Sequence, residues 1–138
     1  MAANSTIAPI NLTSPPQQTL SFEAAGKGLR MQTHLSGDVF IFHCQGRLVF
    51  GDEGAVLRER VSSVLSGSPK IVVNLREVDH IDSGGIGALV GLLVSARNRG
   101  GDLKLVAPNR HVNEVLQRTK LHLIFKIYAE DSDAIAAF

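Results

Sequence analysis

Ile71-Val72-Val73-Asn74-Leu75, followed shortly by Ile81-Asp82-Ser83-Gly84-Gly85-Ile86-Gly87, decides how this chain folds. The first run is almost unbrokenly apolar, which suits a central strand buried on both faces. The second hands that strand over to a helix. From Gly84 to about Arg99 the residues Ile86, Leu89, Val90, Leu93, Val94 and Arg97 recur at helical spacing, and Gly100-Gly101 stops the run.

Upstream, Leu29, Met31, Thr33 and Leu35 alternate with polar residues, Ser36-Gly37-Asp38 turns the chain, and a second strand runs from Val39 to about Val49. The pair reads as an antiparallel hairpin. Gly51-Asp52-Glu53 then opens a helix whose face carries Leu57, Val61, Val64 and Leu65, closed by Ser66-Gly67-Ser68-Pro69. Downstream come a short strand at Leu103-Lys104-Leu105-Val106 and a helix led by Pro108-Asn109 with Val112, Val115 and Leu116. A last strand, Phe125 to Tyr128, precedes a short helix beginning near Asp131 and Ser132. The order β-β-α-β-α-β-α-β-α predicts one α/β domain. Its mixed sheet has four to five strands, helices lie largely on one face, and right-handed crossovers make the strands after the helices parallel. Residues 1–27, rich in Asn, Ser, Thr, Gln and Pro, show no period and read as a flexible N-terminal tail ahead of a domain at 28–138.

The 138 residues carry 14 Lys and Arg against 13 Asp and Glu, a net charge of +1, with 5% aromatics and no Trp. A nucleic-acid binder would show a basic excess or stacking aromatics, so no direct nucleic-acid partner is expected. A chain this long buries roughly two-thirds of its unfolded surface, enough for a core without disulfides or metal. The single Cys44 lies in the apolar run Val39-Phe40-Ile41-Phe42-His43-Cys44 and reads as a small buried hydrophobe. No stretch reaches the ~18 apolar residues of a membrane span. The start of the chain lacks the charge and apolar block of a secretory signal. A cytoplasmic location with no membrane insertion is expected. The five His have no metal-ligand spacing in sequence, so neither metal nor cofactor is expected. Arg97, Arg99, Lys104 and Arg110 read as solvated surface. Phe40 and Phe42 share the core face of their strand, which leaves Phe50 as a contact candidate.

Ser83 falls at the start of the second helix, where unpaired N–H groups and the helix dipole favour negative charge. As a cap it would contribute ~0.5–2 kcal/mol, with Asp82 supporting the first turn and the glycines serving the bend. As a phosphate acceptor it would gain about 1.5–2 negative charges. Gly84, Gly85 and Gly87 would then let a partner's nucleotide approach the backbone closely. Asp82-Ser83-Gly84-Gly85 also looks like the nucleophile segment of chymotrypsin-like serine proteases. That reading fails on pattern: Ile81 stands where Gly is needed, strands alternate with helices, and none of His34, His43, His80, His111 and His122 is marked as a base.

From Leu29 to Phe138 the chain resembles the STAS family, specifically the bacterial anti-sigma factor antagonists. The resemblance rests on Gly46-Arg47-Leu48, on Ile71 to Leu75, on Ile81-Asp82-Ser83-Gly84-Gly85-Ile86-Gly87-Ala88-Leu89, and on Gly100-Gly101-Asp102-Leu103-Lys104-Leu105. It implies a binding switch without catalysis of its own. Ser83 would be phosphorylated by an anti-sigma factor with serine kinase activity, which brings ATP and Mg²⁺, and a protein phosphatase would restore it. Unphosphorylated, the protein would hold the anti-sigma factor and free a sigma factor. Asp82 would position the hydroxyl, and Asp82, Ser83, Gly84, Gly85, Ile86, Gly87 and Phe50 would face the partner. Two positions depart from the family pattern: Gly84 replaces a second hydroxyl or Ala, and Val49 stands where an Asp is common. The alternative within the family is an adaptor, never phosphorylated, in a lipid-transport assembly or sensory scaffold.

Overall fold

The computed structural model describes residues 17–26, 28–49 and 52–138, with side chains from 28 to 49 and from 55 onward. In chain order the elements are β1 (Gln17–Gly26), β2 (Leu29–Ser36), β3 (Val39–Leu48), α1 (Asp52–Leu65), β4 (Lys70–Ile81), α2 (Ser83–Asn98), β5 (Asp102–Val106), α3 (Arg110–Arg118), a 3₁₀ turn (Leu121–Leu123), β6 (Lys126–Tyr128) and α4 (Asp131–Ala136). One sheet takes the strands in sequence order. β1, β2 and β3 pair antiparallel, and β3 through β6 pair parallel. Parallel pairing follows from the helical crossovers, because each returns the chain to the same end of the sheet.

The expected mixed α/β sheet is present with one strand more than anticipated. Gln17–Gly26, assigned to a flexible tail on sequence, forms the edge strand against β2. A register shift between Leu20 and Ala24 interrupts the pairing there. Such an irregularity breaks the period-2 signal, while the backbone ladder that holds a strand is indifferent to side-chain pattern. The rest of that tail expectation, on 1–16 and 27, lies outside the described residues.

The sheet has two unequal apolar layers. On one side Leu29, Met31, Phe42, Ile71, Val73, Leu75 and Leu105 meet Leu57 and Val61 of α1, Leu89 and Leu93 of α2, and Val112 and Leu116 of α3. On the other, Val39, Ile41, Val72 and Val106 are covered by α4 through Ala134, with Ile135 and Phe138 beside it. The first half of β4 is thus buried on both faces, as its apolar run requires. Cys44 is 2% exposed, and burial pushes its thiol up to about 12, so it is an inert core residue.

One surface expectation is corrected. Lys104 is only 2% exposed. Its ammonium lies 3.3 Å from an Asp102 carboxylate oxygen and 4.4 Å from the centroid of the Phe138 ring. The stem crosses the smaller apolar layer while the charge stays paired, an arrangement that hydropathy does not reveal.

α4 is fastened by polar contacts. Asp131 accepts a hydrogen bond from Asn74 Nδ2 at 2.8 Å and meets His43 Nε2 at 2.7 Å, while Arg76 donates to the Ala129 carbonyl. Burial raises the Asp131 carboxyl, but the bonds from His43 and Asn74 outweigh it and hold the group below the usual carboxylate range. A depressed carboxyl stabilises above its unfolded pKa of about 3.9, and loses that contribution as pH falls through the lower folded value. Asp131→Asn is therefore expected to lower the urea midpoint at pH 7, with the gap to the parent narrowing by pH 3. A gap that does not change with pH would show that the ionised carboxylate contributes nothing.

Candidate functional site

β4 ends at Ile81 and α2 begins at Ser83, which leaves Asp82 as the joint. Its backbone is extended (φ −121°, ψ −172°), and its Oδ1 accepts from the Gly85 N–H at 3.0 Å. The first helical bond runs from the Ile86 N–H to the Asp82 carbonyl at 2.9 Å. Asp82 is therefore the N-cap, and Ser83 the first helical residue. This corrects the capping alternative for Ser83: the carboxylate reaches the backbone donor, so the hydroxyl does not have to. Ser83 is exposed, and its Oγ and N–H, with the N–H of Gly84, have no hydrogen-bond partner among the described residues.

The joint is pressed against the end of β3. The Asp82 N–H donates to the Leu48 carbonyl at 3.3 Å. A Cβ on Gly85 would run into that same carbonyl, so only glycine lets the first turn of α2 sit so close. Gly46 does comparable work one step earlier. Its φ of +110° lies in the region glycine favours, and it packs on the Gly28 carbonyl that accepts from the Arg47 N–H at 2.6 Å.

These contacts narrow the expected partner platform. Asp82, Ser83 and Gly87 are exposed, and nothing lies within 4 Å of a Cβ placed on Gly87. Gly84 is half-buried. Gly85 and Ile86 are buried, Gly85 against β3 and Ile86 in the main core, so the expectation that they face a partner is corrected. The helical period forces this, since neighbouring residues 100° apart cannot all point outward. Phe50 lies outside the described residues; Val49 is half-buried.

Tertiary structure adds two side chains that linear spacing did not show. The rings of His80, near the end of β4, and His111, in the first turn of α3, have centroids 5.3 Å apart. They are 31 residues apart in sequence, and only the packing of α3 on β4 unites them. Asn109 fixes that packing: its Oδ1 caps the Val112 N–H at 2.8 Å and its Nδ2 donates to the Val78 carbonyl at 2.7 Å. No group of three or more His, Cys, Asp or Glu able to hold a metal occurs among the described residues.

A parallel layer of this topology with a serine at the start of α2 defines a class, and comparison with known proteins agrees. Residues 30–134 match the family model described as the STAS domain, and the chain belongs to that family. A Thermotoga neapolitana protein named as a candidate anti-sigma factor antagonist is 42% identical over 69 residues, spanning 50% of this chain and 61% of that one. The crystal structure of a candidate anti-sigma factor antagonist from Thermotoga maritima superposes with a TM-score of 0.70 at 30% identity, covering 78% of this chain and 92% of that one. The anti-sigma factor antagonist SpoIIAA in its unphosphorylated form gives 0.67 at 20% identity over 76% and 92%, a likeness of fold. No helix among the described residues is long and apolar enough to cross a membrane.

The two glycines make a paired prediction. Gly85→Ala should cost roughly 1–3 kcal/mol in urea unfolding, because the new methyl meets backbone that cannot move aside. Gly87→Ala should instead gain up to about 1 kcal/mol, the difference in helix propensity at an open position. Equal effects at the two sites would mean that α2 is not pinned on Leu48.

Proposed function

We propose that this STAS domain is an anti-sigma factor antagonist working as a phosphorylation-controlled binding switch, with Ser83 as the phosphate acceptor. The observation that carries the reading is the exposed, uncapped Ser83 on the first turn of α2, with Asp82 taking the capping role. A hydroxyl committed to capping would have to break that bond before accepting a phosphate; this one does not. The likeness in sequence to candidate anti-sigma factor antagonists supports the partner class, an anti-sigma factor, and the proposal gives that partner serine kinase activity.

In the proposed cycle the partner supplies ATP and Mg²⁺. Ser83 Oγ attacks the γ-phosphorus, the bond to the β-phosphate oxygen breaks, ADP leaves, and the hydroxyl proton passes to water. The protein's contribution is presentation. Asp82 holds the start of α2 in place, and Gly87 leaves the next turn bare for the partner's backbone. The added charge of about −1.5 to −2 lands where unmodified protein presents a neutral hydroxyl. A partner surface fitted to that hydroxyl is then faced with a desolvated charge, which breaks the contact. The chain's net charge would pass from +1 to about −0.5 to −1. Salt screens that change within ~8 Å, so the effect is one of contact. A protein phosphatase resets the cycle, and the chain itself performs no catalysis.

Three measurements test this. Intact mass of protein from cells should show a phosphate that disappears in Ser83→Ala. Pull-downs should retain a kinase-like partner on unmodified protein and lose it on Ser83→Asp. Absence of phosphate under every growth condition would favour the adaptor function in a larger assembly. Labelling of Ser83 by a fluorophosphonate would replace the switch with a hydrolase.

A further inference from the structure

His80, His111 and Arg47 converge on the end of the sheet where Ser83 stands. Arg47 is the register neighbour of His80 across the β3/β4 pair, and the His80 ring lies tilted at 53° to that of His111 on α3. All three are exposed. None has a carboxylate partner among the described residues, whereas Lys70, Arg76, Arg97 and Arg110 each meet one within 3.6 Å. His80 precedes Ser83 by three residues, a backbone reach of at most about 11 Å. The acids on the same rim are Asp79 and the capping Asp82, and Arg110 of α3 is already turned to Glu114.

We propose that Arg47, His80 and His111 form a cationic seat for the phosphoryl group on Ser83, so that the modified state is held by contacts within this chain. The proposal rests on Ser83 being the phosphate acceptor, and it adds what receives the charge once it is there. Chemistry favours the match. A phosphate monoester has three acceptor oxygens and carries about 1.5–2 negative charges. Each ring then donates through N–H to a phosphate oxygen, and Arg47 supplies a charge that does not titrate. The two imidazoles lie on different elements, so both keep their places only while α3 stays bolted to β4 through Asn109. Phosphorylation would thereby tighten the α2 and α3 starts against each other.

The test uses full-length protein with phosphoserine installed at position 83 by genetic code expansion, followed by ³¹P NMR across pH 4.5–8. Seated cations hold the dianion, so the phosphate's titration midpoint should rise by about half a pH unit when His80→Gln and His111→Gln are combined. Arg47→Gln should raise it on its own and serves if the double variant does not fold. In the parent, the ring ¹H–¹³C signals of His80 and His111 should move on phosphorylation while those of His122 stay. Midpoints unchanged by these substitutions, or ring signals that do not move, overturn the seat. That outcome would leave the switch intact, because here the phosphate is installed and its occurrence in cells is measured separately. A cellular protein never phosphorylated on Ser83 would overturn the switch even with the seat present.

Discussion

The first turn of α2 lies so close to the end of β3 that a side chain at Gly85 would meet the Leu48 carbonyl. The same carbonyl accepts the Asp82 N–H, and the Asp82 carboxylate caps the turn it begins. Three groups on two elements therefore fix the direction in which α2 leaves the sheet. Ser83 is exposed because its neighbours on both sides are committed. Asp82 is held by the cap and Gly85 by contact, so the hydroxyl between them is carried outward on a rigid joint. A side chain on the end of a well-packed element is fixed more firmly than one on a loop.

The sheet distributes its burial in a way that leaves this end free. Helices α1, α2 and α3 cover one face with the larger apolar layer, and α4 covers part of the other. The second layer is small, and polar groups supplement it: Asp131 with His43 and Asn74 at one end of α4, Lys104 over Phe138 near the other. These contacts belong to the anchoring of α4. Carboxylate and cation answer each other there, whereas Arg47, His80 and His111 at the Ser83 rim form no ion pair with a carboxylate among the described residues.

Much of this was legible in the chain itself, for reasons that can be named. The antiparallel hairpin, the doubly buried run in β4 and the stripe of α2 appear as period 2, unbroken apolarity and period 3.6, because each element's burial is local in sequence. Ser83 and Asp82 were marked as a helix start by the glycines that follow. Three things were not legible. β1 hid behind a register shift that broke its alternation. Lys104 looked like surface, because a buried lysine with its charge paired has the same letter as a solvated one. The outward and inward roles within Gly84 to Gly87 were merged, since a run of glycines states where the backbone is free and not what it approaches.

Sequence by itself determined the order of elements, the strand-to-helix junction and the residue at its tip, since each depends on contacts along the chain or on periodic burial. Only tertiary structure decided that Asp82 caps and Ser83 does not, that Gly85 serves packing while Gly87 stays open, and that His80 meets His111. Those outcomes depend on what a different strand or helix brings into reach: the Leu48 carbonyl in the first two cases, the start of α3 in the third. A distance between residues far apart in the chain is set by the sum of all the packing between them, and no local pattern records it.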